Sequence, residues 1–502
     1  MDKKLEKKLF KEFSFLRPKG GLQQSLMYFG MDIDSGWFDL IYKLCQDLQK
    51  IIASDPTLSD FQVLQVKEKF GCYDKETEIL TREGWKLFKD LTYKDEIATL
   101  SKEGFLEYEF PLDIISYFYE GLMYRLRTRG VDLLVTPNHN LYLSKGISWN
   151  GRYHPPKRRE FPFELATPSK YFGKNKRFKK SALWKGKRKE TFLLPQYSYS
   201  NFMKLNKKMR IYHKRERELQ MDKFLEFLGW YVAEGYTNKE KGDISIAFNP
   251  FSKEAEIITK VIEDLGFKSR ISQFAVRIYS KQLGIWLVDN CGHLAPNKRT
   301  PRFIKELSPD QIDIYLKALF QGDGHKTKTS YILSTTSPRL KDDVQELLLK
   351  TGFTSRSWMI NKNKDEKGGN RVIMSKHPQY GINWLRKSSY HNTQEKGLSP
   401  SSIETWIPFK GNVFDVTVSN HVIYVRRDGK PFWCGNSLRF YVGPATDEIF
   451  DLIHKAEDES YNICEICGKS GSLSVSKNGW YKTVCPYHRR TRGFRKIKVM
   501  KK

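Results

Sequence analysis

The residues that most plainly could do chemistry lie near the C-terminus. There YNICEICGKSG and VCPYH place Cys464, Cys467, Cys485 and His488 as C-x2-C, seventeen residues, then C-x2-H. Thiolates and an imidazole at this spacing suit tetrahedral zinc closed on all four sides by protein, a structural site that stabilises a lobe whose own core is marginal. Other candidates are dispersed. Cys72 opens a block of short strands, Asn436 closes the last such block, and Ser437 follows it. Two carboxylates, Glu234 and Asp323, occupy equivalent places in the two copies of a repeated stretch.

These groups need elements to position them, and periodicity predicts several. In GWFDLIYKLCQDLQKII the apolar Phe38, Ile41, Leu44, Leu48 and Ile51 share one helical face, which makes Cys45 a core residue. FQVLQVKEKF then begins a strand-like run that stops at Gly71. From Cys72 to residue 150 short strands broken by turns, among them TEILTREGWKLFKDL, VDLLVTP and HNLYL, give an all-β signature. Between 220 and 392 FLEFLGWYVAEGY, DISIAFN and SKEAEIITKVIEDLGFKSRI are followed by IYLKALFQGDGH, SYILSTT and SPRLKDDVQELLLKTGFTSR. Each copy reads helix, strands, helix, with Gly266 and Gly352 placed to cap the second helix, so two similar halves should pair about a pseudo-twofold axis. Residues 393–436 return to strands, with VFDVTVSNHVIYVRR followed by a DGK turn.

Composition bounds the partners. The 502 residues carry 87 Lys and Arg against 58 Asp and Glu, a formal charge of +29 that favours a polyanion, nucleic acid first. At 39% hydrophobic the chain is too apolar for disorder, and no apolar run approaches the length of a membrane-spanning helix. The start, MDKKLEKKLF, lacks the apolar core of a secretory signal, which predicts a cytoplasmic protein with reduced thiols. Residues 151–219 form a basic, aromatic-laced stretch in which Lys176, Arg177, Lys179, Lys180, Lys187 and Arg188 are candidate contacts to double-stranded DNA, the alternative being a solvated loop.

The segment 72–436 resembles an intein, a self-splicing insertion of the Hint type. CYDKETEILTREGW looks like the N-terminal splicing block, TPNH like the next, and VFDVTVSNH followed by CGN and Ser like the two C-terminal blocks. Deleting 72–436 joins FQVLQVKEKFG to SLRFYVG, and the rejoined flanks 1–71 and 437–502 have the size of one small domain. The resemblance implies that the Cys72 sulfur attacks the Gly71 carbonyl while Thr136 and His139 polarise that bond and protonate its leaving amine. Ser437 then takes the acyl group, with Asp415 orienting the junction. His421 assists the last step, in which the Asn436 carboxamide attacks its own carbonyl. Many inteins carry His immediately before the terminal Asn; this sequence has Gly435. Cys434 has no assigned role.

FLGWYVAEG and LKALFQGDG resemble the two copies of the LAGLIDADG motif of homing endonucleases. Gly229 with Ala233, and Ala318 with Gly322, set small residues four apart, so the two helices can cross closely and bring Glu234 and Asp323 together. Two carboxylates so placed favour a hard divalent cation, Mg²⁺, for cutting both strands of a duplex. Lys298 matches a lysine that the family uses near the site, and strands after each motif are expected to form a saddle on the major groove.

The expected architecture is multidomain. An all-β horseshoe-like splicing domain, split into 72–150 and 393–436, holds an inserted α/β pseudo-symmetric endonuclease at 220–392 with the basic insertion 151–219 beside it. Two flanks, 1–71 and 437–502, form a small α+β zinc-binding host domain of the kind found in phage and bacterial genomes. No membrane is involved, and the endonuclease is expected to act as a pseudo-symmetric monomer. A reading of a different class is a stable, unspliced DNA-binding protein.

Overall fold

The computed structural model gathers the chain around three principal cores, entered in nested order. It describes all residues except 18–26, 28–30, 32, 67–70, 112, 138, 147–161, 204–207, 239, 250, 252, 328–329, 361–376, 386–389, 394–401, 419, 436–440, 443–444, 461, 477–480 and 497–502.

The outermost core belongs to the flanks. Helix Phe38–Ser54 buries Leu40, Ile41, Leu44, Cys45 and Leu48, the face that the sequence period marks. Ile449 and Ile453, of helix Asp447–Ser460, join the same cluster. Strand Val63–Gln65 pairs antiparallel with Tyr441–Val442, Val63 opposite Val442. The two flanks therefore share one core although the whole insertion separates them in sequence. Periodicity misses helix Lys3–Glu12, whose KKLEKKLFKE offers few apolar residues; Asp2 caps it by accepting from the Lys4 and Leu5 amides.

The second core is all-β and is built from both ends of the insertion. Strands Asp113–Arg127 and Ile403–Thr417 pair antiparallel along their whole length, from Arg127 opposite Ile403 to Asp113 opposite Thr417. A second sheet runs Lys430–Gly435, Val422–Arg427, Glu78–Thr81, Ile97–Leu100, Leu106–Glu109, so a C-terminal hairpin lies beside an N-terminal strand. That hairpin turns on Asp428 and Gly429 at φ 48° and 68°, the consecutive left-handed residues of a type I′ turn. Lys176–Lys179 belongs here as well, in a sheet with Leu141–Lys145, Glu164–Ala166 and Tyr390–Thr393, rather than to a separate basic insertion. The charged side chains of this stretch are thereby drawn into an interior.

The third core holds the repeat. Helices Met221–Glu234 and Pro309–Gly322 pack on each other, and each leads into a four-stranded sheet. The first sheet runs Gly235–Asn238, Asp243–Ala247, Ala275–Tyr279, Ser269–Ile271, and the second Gly324–Lys326, Tyr331–Thr335, Gln379–Leu385, Thr354–Ile360. Taken in chain order both are 1-2-4-3, so the copies match in topology as well as in text. Helices Glu254–Asp264 and Pro338–Lys350 cover them, and Gly266 and Gly352, at φ 72° and 78°, end these helices as C′ residues. Phe267 N donates to Ile262 O at 3.1 Å, and Phe353 N to Leu348 O at 2.9 Å, which closes a Schellman motif in each copy. Helix Lys281–Cys291, unforeseen from the sequence, lies in the first half between strand Ala275–Tyr279 and the second copy.

The β core and the repeat meet at Arg426. Its guanidinium is 1% exposed, bonds both Glu78 oxygens at 2.7 and 2.8 Å, and reaches Asp342 at 2.5 Å and Gln345 at 2.7 Å on helix Pro338–Lys350. A buried cation needs such partners, since unpaired it would cost several kcal/mol, about 3–5.

Candidate functional site

Cys72 and Tyr73 form a short extended segment in which Tyr73 bridges Phe414 of strand Ile403–Thr417 on one side and Val135 of strand Asp132–Val135 on the other. Tyr73 N donates to Phe414 O at 2.8 Å and Phe414 N returns a bond to Tyr73 O at 2.9 Å, while Asp74 N reaches Leu134 O. On the Thr136 side, Cys72 N donates to Thr136 Oγ1 at 2.8 Å and Thr136 N to Cys72 O at 2.9 Å. His139 N then bonds Thr136 O at 3.1 Å, and the imidazole packs against the Tyr73 ring at the start of the block. Cys72, Tyr73, Thr136, His139 and Asp415 are all buried.

Both ends of the insertion converge on that imidazole. A Cβ at Gly71 would lie 2.0 Å from the His139 Cα, so only glycine fits beside it. From the other end, Cys434 Sγ sits 3.5 Å from His139 Nε2. Burial pulls the His139 pKa down to about 4, against which the backbones of Gly71 and Gly435 push it partly back up. At neutral pH the ring is uncharged and donates through one nitrogen while accepting through the other. Burial also pushes the Cys434 thiol up to about 12, which leaves it protonated.

Tyr73, which no motif singles out, links the two ends directly. Its hydroxyl donates to Gly435 O at 2.7 Å, its ring stacks on Phe88 at 4.9 Å, and it meets His139 edge-on at 4.3 Å. The same packing explains the glycine at 435. A Cβ there would stand 2.3 Å from Asn140 O and 2.7 Å from Leu165 Cδ2, so a histidine cannot be accommodated at this position. The polar contact to this peptide comes instead from Tyr73. His421 occupies the turn before Val422–Arg427 at φ 57°, and Val422 lies opposite Gly435, so the register carries His421 to the strand end at which residue 436 follows. Asp415 raises the pKa values of Tyr73 and Cys434 through its charge, which puts it in the same pocket. Asn436 and Ser437 lie outside the described residues.

The second cluster forms where the two repeat helices cross. A Cβ on Gly229 would stand 2.5 Å from Ala318 Cβ and 2.6 Å from Tyr315 O; one on Gly322 would stand 2.5 Å from Ala233 Cβ and 3.4 Å from Glu234 Cγ. Glu234 is the last residue of its helix and Asp323 the cap residue of the other. Burial and the Glu234 charge push Asp323 up to about 7, with Lys298 opposing. Glu234 is raised by burial and by Glu254, again against Lys298. Lys298 is no surface lysine: it is 7% exposed, bonds Tyr231 O at 2.9 Å and Gly235 O at 2.8 Å, and burial pulls it down to about 8. Burial and a neighbouring carboxylate raise each acid, so the site favours added positive charge, and their hard oxygens suit a divalent cation such as Mg²⁺.

The basic stretch requires a correction. Lys176 is buried and its Nζ lies 2.6 Å from Glu404, Arg177 is buried against Ser144 Oγ at 2.9 Å, and buried Lys180 donates to Gly130 O at 2.8 Å. These three hold the β core and present no charge to a phosphate. Lys179 lies half-buried with its ammonium 5.6 Å from the Phe163 ring. Arg188 is exposed but pairs with Asp222 at 2.6 Å and with Asp310, tying together the N-termini of the crossing helices. Lys187 is exposed.

The cysteine cluster assembles as its spacing predicts. The four ligand atoms of Cys464, Cys467, Cys485 and His488 lie within 4.8 Å of one another, with Cys467 Sγ 3.8 Å from Cys485 Sγ and His488 Nδ1 3.5 Å from Cys464 Sγ. The edge of a tetrahedron with zinc–sulfur bonds of about 2.3 Å is about 3.8 Å, so the four donors fit that ion. The lobe docks on the N-terminal flank, where Gly36 N donates to Glu465 O at 2.8 Å and a Cβ at Gly36 would collide with Cys464 O. Elemental analysis of the purified chain is expected to give one zinc per molecule, and Cys464→Ser to remove it and to lower the melting temperature of the flank domain. A metal-free parent chain would overturn the assignment.

Residues 310–380, within the second copy of the repeat, match the family described as a LAGLIDADG-like domain. Among curated relatives, the chain is 26% identical over 422 residues to the DNA-directed RNA polymerase subunit beta C-terminal section of Stigeoclonium helveticum, covering 74% of this chain and 37% of that protein. It is 30% identical over 302 residues to the ATP-dependent Clp protease proteolytic subunit of Chlamydomonas moewusii, covering 57% of this chain and 28% of that one. The chain thus spans about a third of the length of these relatives. Similar solved structures include the homing endonuclease I-DmoI in complex with DNA and calcium, at 16% identity over 34% of this chain and 85% of that one, with a TM-score of 0.25. A splice-inactive variant of the AceL NrdHF class 3 split intein aligns at 14% identity over 30% of this chain and 84% of that one, with a TM-score of 0.16.

Proposed function

We propose that the chain is a precursor from which residues 72–436 splice themselves out, and that the excised part is a site-specific endonuclease of duplex DNA. The observation that carries the splicing reading is the approach of the two ends of the insertion to His139, with Gly71 against its Cα and Cys434 against its Nε2. The curated relatives add support: an RNA polymerase subunit and a protease subunit share no function by name, and matching about a third of each is what a segment inserted into unrelated proteins would give.

In this reading the Cys72 thiol passes its proton to the neutral His139 ring as its sulfur attacks the Gly71 carbonyl carbon, the Gly71–Cys72 C–N bond breaks, and the ring returns a proton to the freed amine. Thr136 Oγ1, already bonded to Cys72 N, holds that nitrogen in place. The Ser437 hydroxyl then attacks the thioester, forming an ester and returning the thiol to Cys72. The Asn436 side-chain nitrogen attacks its own carbonyl carbon, closing a succinimide and releasing the Ser437 amine, onto which the ester acyl group shifts to give a normal peptide bond. For the nuclease, Glu234 and Asp323 would hold the divalent ion, and such an ion makes water more acidic and stabilises a leaving oxygen. Lys298, fixed by two carbonyls, sets the charge of that site.

The experiment separates the first chemical step from the rest. A chain carrying Asn436→Ala, treated with dithiothreitol, is expected to release the N-terminal flank, Met1 to Gly71, as a thiol ester; no release would overturn the nucleophile assignment. Tyr73→Phe keeps the ring and removes the bond to Gly435 O. It is expected to leave thiol-induced release unchanged while slowing release of the C-terminal flank about tenfold, the value of one buried hydrogen bond of about 1.4 kcal/mol. Equal rates for variant and parent would remove Tyr73 from the account.

A further inference from the structure

We propose that the two-stranded ribbon formed by Tyr197–Met203 and Lys208–Lys214 is a second contact to duplex DNA, lying along a groove next to the endonuclease-like sheets. The inference rests on the reading that the paired acids act on a duplex, and it names a surface which that reading leaves unassigned.

Among the described residues the ribbon pairs with no third strand, which leaves both edges open. A lone hairpin is marginal in water and its edges invite pairing, so a chain that keeps one exposed needs either a partner or a strong anchor. The anchor is present at the root. Gln282 donates to Pro195 O at 2.7 Å and to Arg215 O at 2.9 Å, so one side chain clasps both strands. Tyr199 stacks on its cross-strand partner Tyr212 at 5.2 Å, and the Lys281 ammonium lies 4.6 Å from the Tyr199 ring. On the opposite face Ser198, Ser200, Ile211 and His213 are exposed, Ile211 by 63%, and Lys214 and Arg215 are exposed at the root.

Charge selects the occupant. From Thr191 to Arg215 the sequence holds six Lys and Arg and no acid, whereas Lys176 and Arg188 upstream are paired with carboxylates. Position selects the geometry. The clasp residues Lys281 and Gln282 follow strand Ala275–Tyr279 of the first repeat sheet, and the ribbon's stem, Thr191–Leu194 paired with Arg217–Gln220, runs straight into the helix that ends at Glu234. Ribbon, sheet and acid are thus joined without an intervening linker. At about 3.4 Å per residue, seven-residue strands reach roughly 24 Å, about seven base pairs. A major groove about 12 Å wide admits a two-stranded ribbon.

Binding of the full chain to a duplex spanning the uninterrupted flank-coding sequence, measured with calcium across a range of salt, tests the proposal. Lys214→Ala with Arg215→Ala is expected to weaken binding about tenfold and to reduce the slope of log affinity against log salt by about 2, two phosphate contacts at about 0.9 each. Ser200→Glu, which adds one negative charge to the exposed face and touches neither clasp nor stack, is expected to weaken binding in the same direction. Lys50→Ala with Lys94→Ala, exposed charges elsewhere, controls for net charge and is expected to leave the slope within roughly 0.5 of the parent's. If the ribbon variants bind like the parent, the ribbon serves another partner and the inference fails alone. A parent chain that binds no duplex overturns the inference together with the nuclease reading.

Discussion

A chain carrying Cys72→Ala is expected to give no joined-flank product after days at any pH that keeps it folded. Alanine has no atom that can attack the Gly71 carbonyl, and removing the nucleophile from a protein that works by covalent catalysis costs at least about 10⁴-fold. The substitution should be mild structurally. The site is buried, and two hydrogen bonds that run through the backbone N and O of residue 72, to Thr136 Oγ1 and from Thr136 N, survive the substitution and keep the segment in its seat. A variant that still splices would dismiss the sulfur chemistry outright.

The second large effect concerns the paired acids. Asp323→Asn is expected to abolish cleavage of a duplex spanning the uninterrupted flank-coding sequence, a loss of at least about 10²–10³-fold, while splicing continues. A stability change of opposite sign should accompany the loss. The folded-state pKa of Asp323 is raised to about 7 from an ordinary value near 3.8, so the folded chain holds its proton more tightly than the unfolded one does. Stability from this group is full below about pH 3.8 and is lost as pH climbs through about 7. Asparagine does not ionise. At pH 8 without divalent ions the variant should therefore melt above its parent, and adding Mg²⁺ should raise the parent's melting point while leaving the variant's little changed. A variant that cuts as fast as the parent would remove the metal-site assignment, and one that melts lower in ion-free buffer would remove the electrostatic account of it.

Much of this arrangement is legible in the sequence because the decisive signals are local. Cys464, Cys467, Cys485 and His488 announce themselves by spacing, and the Gly229–Ala233 and Ala318–Gly322 pairs by the close crossing that small residues permit. Gly266 and Gly352 are readable for the same reason, since a helix end needs a left-handed residue at one position only. What fails depends on contacts distant in sequence. Lys176 reads as an exposed cation until Glu404, 228 positions away, is seen to neutralise it. A count of charges cannot distinguish a cation facing solvent from one locked in an interior. Gly435 looks like a lost catalytic histidine, yet its cause lies in Asn140 and Leu165, which leave no space for a side chain. Tyr73 stands in the block CYDKETEILTREGW without a role of its own there, and only the fold brings its hydroxyl to Gly435. Lys298 is picked out by resemblance, but its burial and its two carbonyl partners, which make it more than a surface charge, are visible only in three dimensions.

The flanks carry a further lesson. Neither reads as a domain alone, yet in this chain they share a core and pair strand to strand across Val63 and Val442. In the proposed splicing, a core shared by the two flanks would favour their ligation over release of loose ends.

The most direct test is the intact mass of the purified chain followed over time. Two products are the predicted result: the excised segment 72–436, and the flanks 1–71 and 437–502 joined through a Gly71–Ser437 peptide bond. A chain that keeps its full mass of 59.0 kDa throughout would contradict the claim that the two junctions exchange backbone bonds.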